Sequence, residues 1–190
     1  MAKNNTNLKK GFTIIEVVLV LAIAGLIFLM VFVALPALQR SQRDTARRND
    51  LSRVDTSLTQ YQTNNQNTTN GDLPTAGSWT ATEDGTFGTG GCGDNTACRF
   101  VQRYMNSGTD SATNTFKDPD GTYYSMNIQS ASTWGNNEIK DIVPAGNMNY
   151  IVYVVTGAKC TGEQVQKDTA RHYAVLYRLE GAGIYCIDDQ

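Results

Sequence analysis

The residues of this chain that could do chemistry are few and far apart in the sequence. The one histidine, His172, has no serine or cysteine nucleophile close to it in the sequence. A histidine in nucleophilic catalysis needs such a partner, so we predict that His172 is structural or solvated. Zinc-binding helix motifs and phosphate-binding glycine loops are also missing from the sequence. These observations do not support an enzyme.

Two carboxylates lie close together in the stretch "KDPDGTYY", at Asp118 and Asp120. Carboxylate oxygens are calcium ligands, but this spacing does not match an EF-hand loop. The same stretch is a strong β-turn sequence, with Pro119 and Gly121 at favourable positions. We therefore predict a turn, no metal and no cofactor, and we keep calcium binding as the alternative.

Four cysteines follow the apolar part of the chain: Cys92, Cys98, Cys160 and Cys186. An even number of cysteines in an Asn/Thr/Gly-rich region indicates two disulfides in an exported protein, and three pairings are open. We favour Cys92–Cys98, which closes the short loop "CGDNTAC", and Cys160–Cys186, which holds the C-terminal section together. A zinc site formed by all four thiolates is the alternative, and the lack of paired CxxC spacing argues against it.

A single glutamate, Glu16, lies at the start of a strongly apolar stretch. Residues 17–38 carry no charge, and these 22 residues would form a helix roughly 33 Å long, enough to cross a bilayer. A carboxylate in such a helix costs on the order of 2.5–3.5 kcal/mol at the bilayer centre and less near an edge. Glu16 is therefore predicted to have a partner, and the alternative is a side chain that reaches towards the membrane interface.

The residues before the apolar stretch are polar and basic, with lysines at positions 3, 9 and 10. The apolar stretch is longer than that of a secretory signal, and no A-x-A-like cleavage site follows it. One interpretation is an uncleaved single-pass anchor with its lysines in the cytoplasm. Five arginines between residues 40 and 53 oppose that orientation, whereas the cysteines favour an exported region after the span.

The sequence "KKGFTIIE" at residues 9–16, followed by the apolar stretch, resembles the prepilin motif (a class III signal peptide) of type IV pilins of the IVa type. The resemblance is strong over residues 9–39. It implies that a prepilin peptidase cleaves between Gly11 and Phe12 and methylates the new amino terminus of Phe12. It also implies a partner for Glu16, because this glutamate engages the N-terminal amine of a neighbouring subunit in that family.

The sequence departs from the family at a proline. Gly25 lies at a position where many members have glycine, but Pro36 lies three residues later than the usual proline. In filaments of the family the helix can melt between these two residues, and both residue types weaken a helix. The apolar stretch 26–32 favours a continuous helix here, so both outcomes stay open for Gly25–Pro36.

Three parts position these residues: a cleaved leader at 1–11, a long helix at 12–63 and a globular head at 64–190. Residues 17–38 of the helix form its transmembrane or filament-core segment, and residues 64–98 of the head are predicted as a surface loop. In the second half of the helix, Leu51, Val54, Leu58 and Tyr61 recur at intervals of three and four residues. That spacing predicts a helix face packed on a sheet.

The arginines at positions 40, 43 and 47 share another face of this helix. Two interpretations stay open for them. They form solvated ion pairs with nearby aspartates, or they contact lipid headgroups or neighbouring subunits.

The head is predicted to be rich in β-strands. "CRFVQRYMNSG" indicates a short helix, and a short hairpin is considered around Trp79–Phe87. Runs rich in Val, Ile and Tyr between glycine-containing turns predict four strands. These runs are Thr122–Ile128, Tyr150–Thr156, Tyr173–Glu180 and Ile184–Ile187. The fold class is therefore α+β, and the resemblance implies the type IV pilin fold: a long helix packed on an antiparallel sheet of about four strands.

The resemblance implies a structural subunit of a type IV pilus that supports adhesion, twitching motility or DNA uptake. Its partners would be further copies in a helical homopolymer, other pilins, prepilin peptidase, the pilus assembly machinery and the membrane. The protein would be a single-pass membrane protein of the inner or cytoplasmic membrane with its head outside the cytoplasm, and then part of an extracellular pilus. The alternatives are a minor pilin or type II secretion pseudopilin, and an uncleaved membrane-anchored binding module. A net charge of −2 argues against general nucleic-acid binding.

Overall fold

The computed structural model describes residues 11–65, 73–81, 92–106, 115–144, 150–181 and 183–190. The predicted leader up to residue 10, much of the predicted loop 64–98 and the distal part of the predicted hairpin at Trp79–Phe87 lie outside these residues. The chain forms two compact units, Met1–Arg40 and Ser41–Gln190, which we describe separately.

The first unit contains the apolar part of helix α1, which runs from Ile14 to Asn64. Gly11, Phe12 and Thr13 precede the helix in non-helical conformation. Gly25 and Pro36 both lie inside α1, and the structure keeps the helix through Gly25–Pro36 in the single chain. The bounds of α1 agree with the sequence prediction to within two residues.

In the second unit, α1 buries the apolar face that the sequence predicted. Leu51, Val54 and Leu58 are fully buried, and Tyr61 packs at the edge of the same core. A short helix α2 (Thr96–Phe100) continues into a π-helical turn at Val101–Met105 and packs in this core. The predicted stripe and the predicted short helix are therefore confirmed.

The second unit contains eight strands among its described residues. In chain order these are β1 (Gly77–Trp79), β2 (Ser125–Ser130), β3 (Ile139–Lys140), β4 (Ile151–Thr156), β5 (Ala158–Thr161), β6 (Gln164–Lys167), β7 (Tyr173–Arg178) and β8 (Ile184–Asp188). They form a five-stranded sheet in the order β1-β2-β4-β7-β8 and a three-stranded sheet in the order β3-β6-β5. The α+β class with a mostly antiparallel sheet is confirmed, but the main sheet is larger than the predicted four strands.

One pair in the main sheet is parallel, which the sequence analysis did not predict. β2 and β4 run in the same direction, with Met126 opposite Val152 and Ile128 opposite Val154. A parallel pair needs a crossover connection in place of a tight hairpin, and residues 131–150 are long enough to supply one. The remaining pairs of the main sheet are antiparallel.

The main sheet is covered on both faces. Val152 and Val154 of β4 belong to the core shared with α1, whereas Tyr153 and Val155 belong to a second core shared with the small sheet. Side chains alternate between the two faces of a strand, so a strand covered on both faces reads as a continuous apolar run. This explains the sequence "IVYVV" of β4.

Two disulfides connect described residues. Cys92 is bonded to Cys98 next to α2, and Cys160 of β5 is bonded to Cys186 of β8. This is the pairing that the sequence analysis favoured. The second bond joins the small sheet to the edge strand of the main sheet.

Candidate assembly site and buried charge cluster

Glu16 lies in the first turn of α1, where the sequence and the physics of helix ends both favour a carboxylate. The carbonyl of Thr13 accepts hydrogen bonds from the backbone N–H groups of Glu16, at 3.1 Å, and Val17, at 3.4 Å. Thr13 and Glu16 therefore have the Thr-x-x-Glu spacing of a capping box at a helix start. The unpaired N–H groups of a first helical turn also attract negative charge.

The surroundings of Glu16 are apolar and exposed. Phe12 and Ile14 are each 86% exposed, and the large apolar side chains from Phe12 to Leu38 lie on all sides of the helix. α1 is long and apolar enough to cross a membrane. Among the described residues, the structure shows no hydrogen bond or ion pair to the carboxylate of Glu16. Its expected partner, the amine of a processed neighbouring chain, is not part of a single chain.

The second unit contains a charge cluster, which we define as Arg43, Asp44, Arg47, Asp118 and Glu180. Arg47 is completely buried, and its guanidinium donates two hydrogen bonds, of 2.6 and 2.8 Å, to the carboxylate of Asp118. The same guanidinium contacts Asp44 at 3.3 Å and Glu180 at 3.0 Å. Bidentate pairing of this kind gives a buried charge both neutralisation and a fixed geometry.

The members of the charge cluster come from three places in the chain: helix α1, the turn at Asp118 and the connection between β7 and β8. Asp44 accepts hydrogen bonds from the backbone N–H groups of Glu180, at 2.9 Å, and Gly181, at 3.0 Å. Arg43 donates three hydrogen bonds to the carboxylate of Glu180, the shortest at 2.7 Å. One helix segment is thereby joined both to the turn at Asp118 and to the connection between β7 and β8.

Hydrogen bonds within the cluster favour the ionised forms of Arg47 and Glu180. Burial alone would lower the pKa of Arg47, but its hydrogen bonds to Asp118 and Glu180 raise that pKa above its ordinary value. The hydrogen bond from Arg43 holds the pKa of the Glu180 carboxyl below its ordinary value. Burial raises the pKa of the Tyr177 hydroxyl, which stays protonated and donates to Asp118 at 3.2 Å.

These contacts correct the interpretation of the arginines. Arg47 is buried inside the second unit, and therefore neither a solvated residue nor one that meets lipid or a neighbouring subunit. Arg47 precedes Leu51 by four residues, so it continues the face of α1 that Leu51, Val54 and Leu58 bury. That spacing was the signal in the sequence that could have revealed its burial.

The stretch from Asp118 to Gly121 forms the turn that the sequence indicated. The N–H of Gly121 donates to the carbonyl of Asp118 at 2.8 Å, and Gly121 adopts a φ of 96°, which favours glycine. The Asp118 carboxylate is bound to Arg47, and that of Asp120 accepts from the N–H of Thr122 at 2.9 Å. Both carboxylates thus have protein donors. Within the described ranges no group of three or more His, Cys, Asp or Glu residues could hold a metal ion.

His172 lies beside Asp189, and one ring nitrogen is 3.1 Å from that carboxylate. Its side chain is partly exposed. This contact ties the start of β7 to the residue after β8, which is a structural role.

The comparisons with known proteins agree with the geometry of the N-terminal site. A family model described as the prokaryotic N-terminal methylation motif matches residues 6–32. No curated protein and no solved structure matches the chain. The matched stretch includes Gly11, Phe12, Glu16 and Gly25, and it supports the prepilin-type class III signal peptide that the sequence indicated.

The motif and the architecture together support a type IV pilin-like or pseudopilin protein. Proteins with this motif are processed by a prepilin peptidase and assemble with other pilins, and they are usually structural proteins without enzymatic activity. The apolar start of α1 fits a membrane-anchored chain.

Proposed function

We propose that this chain is a structural subunit of a type IV pilus, assembled from the inner or cytoplasmic membrane by packing of its N-terminal helices. The observation that carries the proposal is the methylation motif at the start of an exposed apolar helical segment whose one carboxylate is Glu16. The proposed parts are a cleaved leader at 1–11, the helix at 12–63 and a head at 64–190. No cofactor enters the proposal.

In this proposal, cleavage between Gly11 and Phe12 creates an α-ammonium group four residues before Glu16. An α-amino group has a reference pKa of about 7.7–8.0, so most of it is protonated at neutral pH. Pairing of this cation with the Glu16 carboxylate of a neighbouring chain removes two unsatisfied charges from an apolar surrounding. A subunit at the wrong axial position leaves both unpaired, so the pair sets the register of assembly.

The pilus would carry the head outside the cytoplasm and support adhesion, twitching motility or DNA uptake as a property of the whole filament. A minor pilin or a type II secretion pseudopilin is the second candidate, because the same motif supports it. The abundance of the chain in filaments sheared from cells separates the two. A major subunit dominates such filaments, whereas a minor subunit or pseudopilin is scarce.

The first experiment determines the N-terminal residue and the intact mass of the protein from its native cells. We expect a chain that begins at Phe12 and has the mass of a methylated species with two disulfides. A chain beginning at Met1 or Ala2 would contradict the proposal and favour an uncleaved membrane-anchored binding module.

The second experiment replaces Glu16 in those cells. Glu16→Ala should insert into the membrane and yet form no filaments, because the register pair is missing. The matched control is Glu163→Ala, which removes an exposed glutamate of the head and should leave filaments unchanged. Normal filaments from Glu16→Ala would refute the role of Glu16.

A further inference from the structure

The part of α1 that lies in the second unit consists of two segments, residues 41–50 and residues 51–64, which make different kinds of contact. The buried side chains of its first segment are Asp44 and Arg47, and both are charged. Those of its second segment are apolar apart from Ser57. The change occurs at Leu51, within a single helix.

The first segment, residues 41–50, holds the head by polar and charged groups. The Asp44 carboxylate binds two consecutive backbone N–H groups at Glu180 and Gly181. Arg48 lies over the ring of Tyr185 with its guanidinium carbon 5.5 Å from the ring centroid, and Asp50 accepts from the Tyr124 hydroxyl at 3.2 Å. Separation of this segment from the head therefore exposes mainly groups that water can solvate.

The second segment, residues 51–64, holds the head by apolar packing. Leu51, Val54 and Leu58 have no exposed surface and share one core with Phe100 and Val154. Separation of this segment exposes apolar side chains to water, which costs about 1.5–3 kcal/mol for each fully buried residue of this type. The two segments thus have separate free energies of release.

Water already reaches the edge of the charge cluster. The side chains of Arg43 and Glu180 are 34% and 21% exposed, whereas those of Arg47 and Asp118 have no exposed surface. The Arg43–Glu180 pair is therefore the solvent-exposed part of the charge cluster, and Glu180 also contacts the buried Arg47 at 3.0 Å. Partly exposed ion pairs are weak and sensitive to salt.

We propose that residues 41–50 act as a latch, which opens from the head as one unit while residues 51–64 stay packed. The Arg43–Glu180 pair is the first contact to open, and water then reaches Arg47. Local opening in contiguous units below the global unfolding free energy is a general property of folded proteins. The role of the latch in a filament, a length of helix that the head can release without unfolding, rests on the proposed function.

The test is hydrogen exchange, read by mass spectrometry, on the full chain in detergent micelles. A helical segment released from its packing surface is only marginally stable in water, so its amides exchange faster. Glu180→Gln removes the charge that Arg43 and Arg47 share and should raise exchange in residues 41–50 about two- to fivefold. Exchange in residues 51–64 should stay unchanged. Raising the salt concentration should have the same local effect on the unsubstituted protein.

The matched control is Glu138→Gln, because Glu138 forms an ion pair with Lys140 at 3.0 Å outside the charge cluster. It should leave exchange in residues 41–50 unchanged. An equal rise over residues 41–64 in Glu180→Gln, or no rise, would overturn the latch. The readout does not depend on N-terminal processing or filaments, so failure of the latch and failure of the proposed function are separate results.

Discussion

The chain deals with charge in apolar surroundings in two different ways. At the start of α1, Glu16 lies among exposed apolar side chains, and no described residue pairs with its carboxylate. In the second unit, Arg47 is completely buried, and its guanidinium contacts the carboxylates of Asp44, Asp118 and Glu180. The two solutions occur about 30 residues apart on the same helix.

The difference is between buried charges that are paired within one chain and a carboxylate that has no partner among the described residues. In the charge cluster, both arginines pair with carboxylates of the same chain. The carboxylate of Glu16 has no partner among the described residues. In the proposed function, the amine of a neighbouring chain supplies that partner.

The largest expected effect comes from removing the guanidinium of Arg47. Arg47→Met keeps much of the side-chain volume but leaves the buried carboxylate of Asp118 without its cation. Breaking a buried pair in this way should lower the free energy of unfolding of the head by about 3–5 kcal/mol. Denaturant unfolding of the full chain in detergent measures it.

The control for this change is Arg99→Met, because the pair of Arg99 with Asp94 is largely exposed. Its effect should stay within about 0.5 kcal/mol. Equal effects of the two substitutions would show that the head does not depend on its charge cluster, and the comparison with Glu16 would fail.

The disulfide that holds β8 should have the next largest effect. In the chain-entropy model, a loop with a sequence separation of 26, as in Cys160–Cys186, contributes about 3.5 kcal/mol to stability. The double Cys→Ser variant should therefore lose about that much, and proteases should cut its C-terminal part first. β8 follows the connection that carries Glu180, so this loss also loosens the charge cluster.

The other disulfide supplies the control. Cys92–Cys98 has a sequence separation of 6 and should contribute about 2 kcal/mol in the same model. Its removal should leave the C-terminal part protected. If removal of Cys160–Cys186 leaves protease resistance unchanged, the bond does not hold this section together.

A smaller effect is expected from Glu180→Gln, and it should depend on pH. Glu180 has a pKa below its ordinary value of 4.5, because Arg43 donates hydrogen bonds to it. Such a group stabilises the fold above its unfolded pKa, and the contribution disappears as pH falls through the lower folded pKa. At neutral pH the substitution should cost about 0.5–1 kcal/mol.

The measurement is the difference in unfolding free energy between the protein and this variant from pH 7 to pH 3. The difference should shrink as pH falls below 4.5 and through the lower folded pKa, because protonation then removes the Glu180 charge from the unsubstituted protein. Asp50 has the opposite tendency, because burial raises its pKa, but it is present in both proteins and its contribution cancels. A difference that does not change with pH would exclude the ionised pair as its cause.

The smallest effect should come from Glu16→Ala. Glu16 has no bond to a described residue and lies outside the second unit, so the unfolding free energy of the head should change by less than about 0.5 kcal/mol. The same variant is expected to abolish filaments. A large loss of head stability would show that Glu16 is not reserved for a neighbouring chain.

The sequence predicted the elements with strong local signals. The long helix, its stripe at Leu51, Val54 and Leu58, and the central strands β4 and β7 follow from periodicity and residue type. The sequence analysis did not predict the strands β1, β3, β5 and β6. Each has at most four residues, and most of these residues are polar. Such segments become strands because a neighbouring strand supplies hydrogen bonds, and their own sequence does not show this.

The charge cluster was missed for a related reason. Arg43 and Arg47 find their partners at Asp118 and Glu180, at sequence separations of 71 and 137 residues. A pattern within one helix does not report contacts at such distances. The N-terminal motif could be recognised because the predicted cleavage site, Glu16 and the apolar residues 17–38 follow one another in one continuous stretch.

The long separation between Arg47 and Glu180 also sets an order of events during synthesis. A ribosome makes Arg43 and Arg47 long before it reaches Glu180, which lies 137 residues after Arg43. Of the three carboxylates around Arg47, the ribosome therefore makes Asp44 first, Asp118 next and Glu180 last. A chain cut short before residue 180 would lack the carboxylate that Arg43 and Arg47 share, so the ionic contacts of residues 41–50 are complete only after Glu180 has been made.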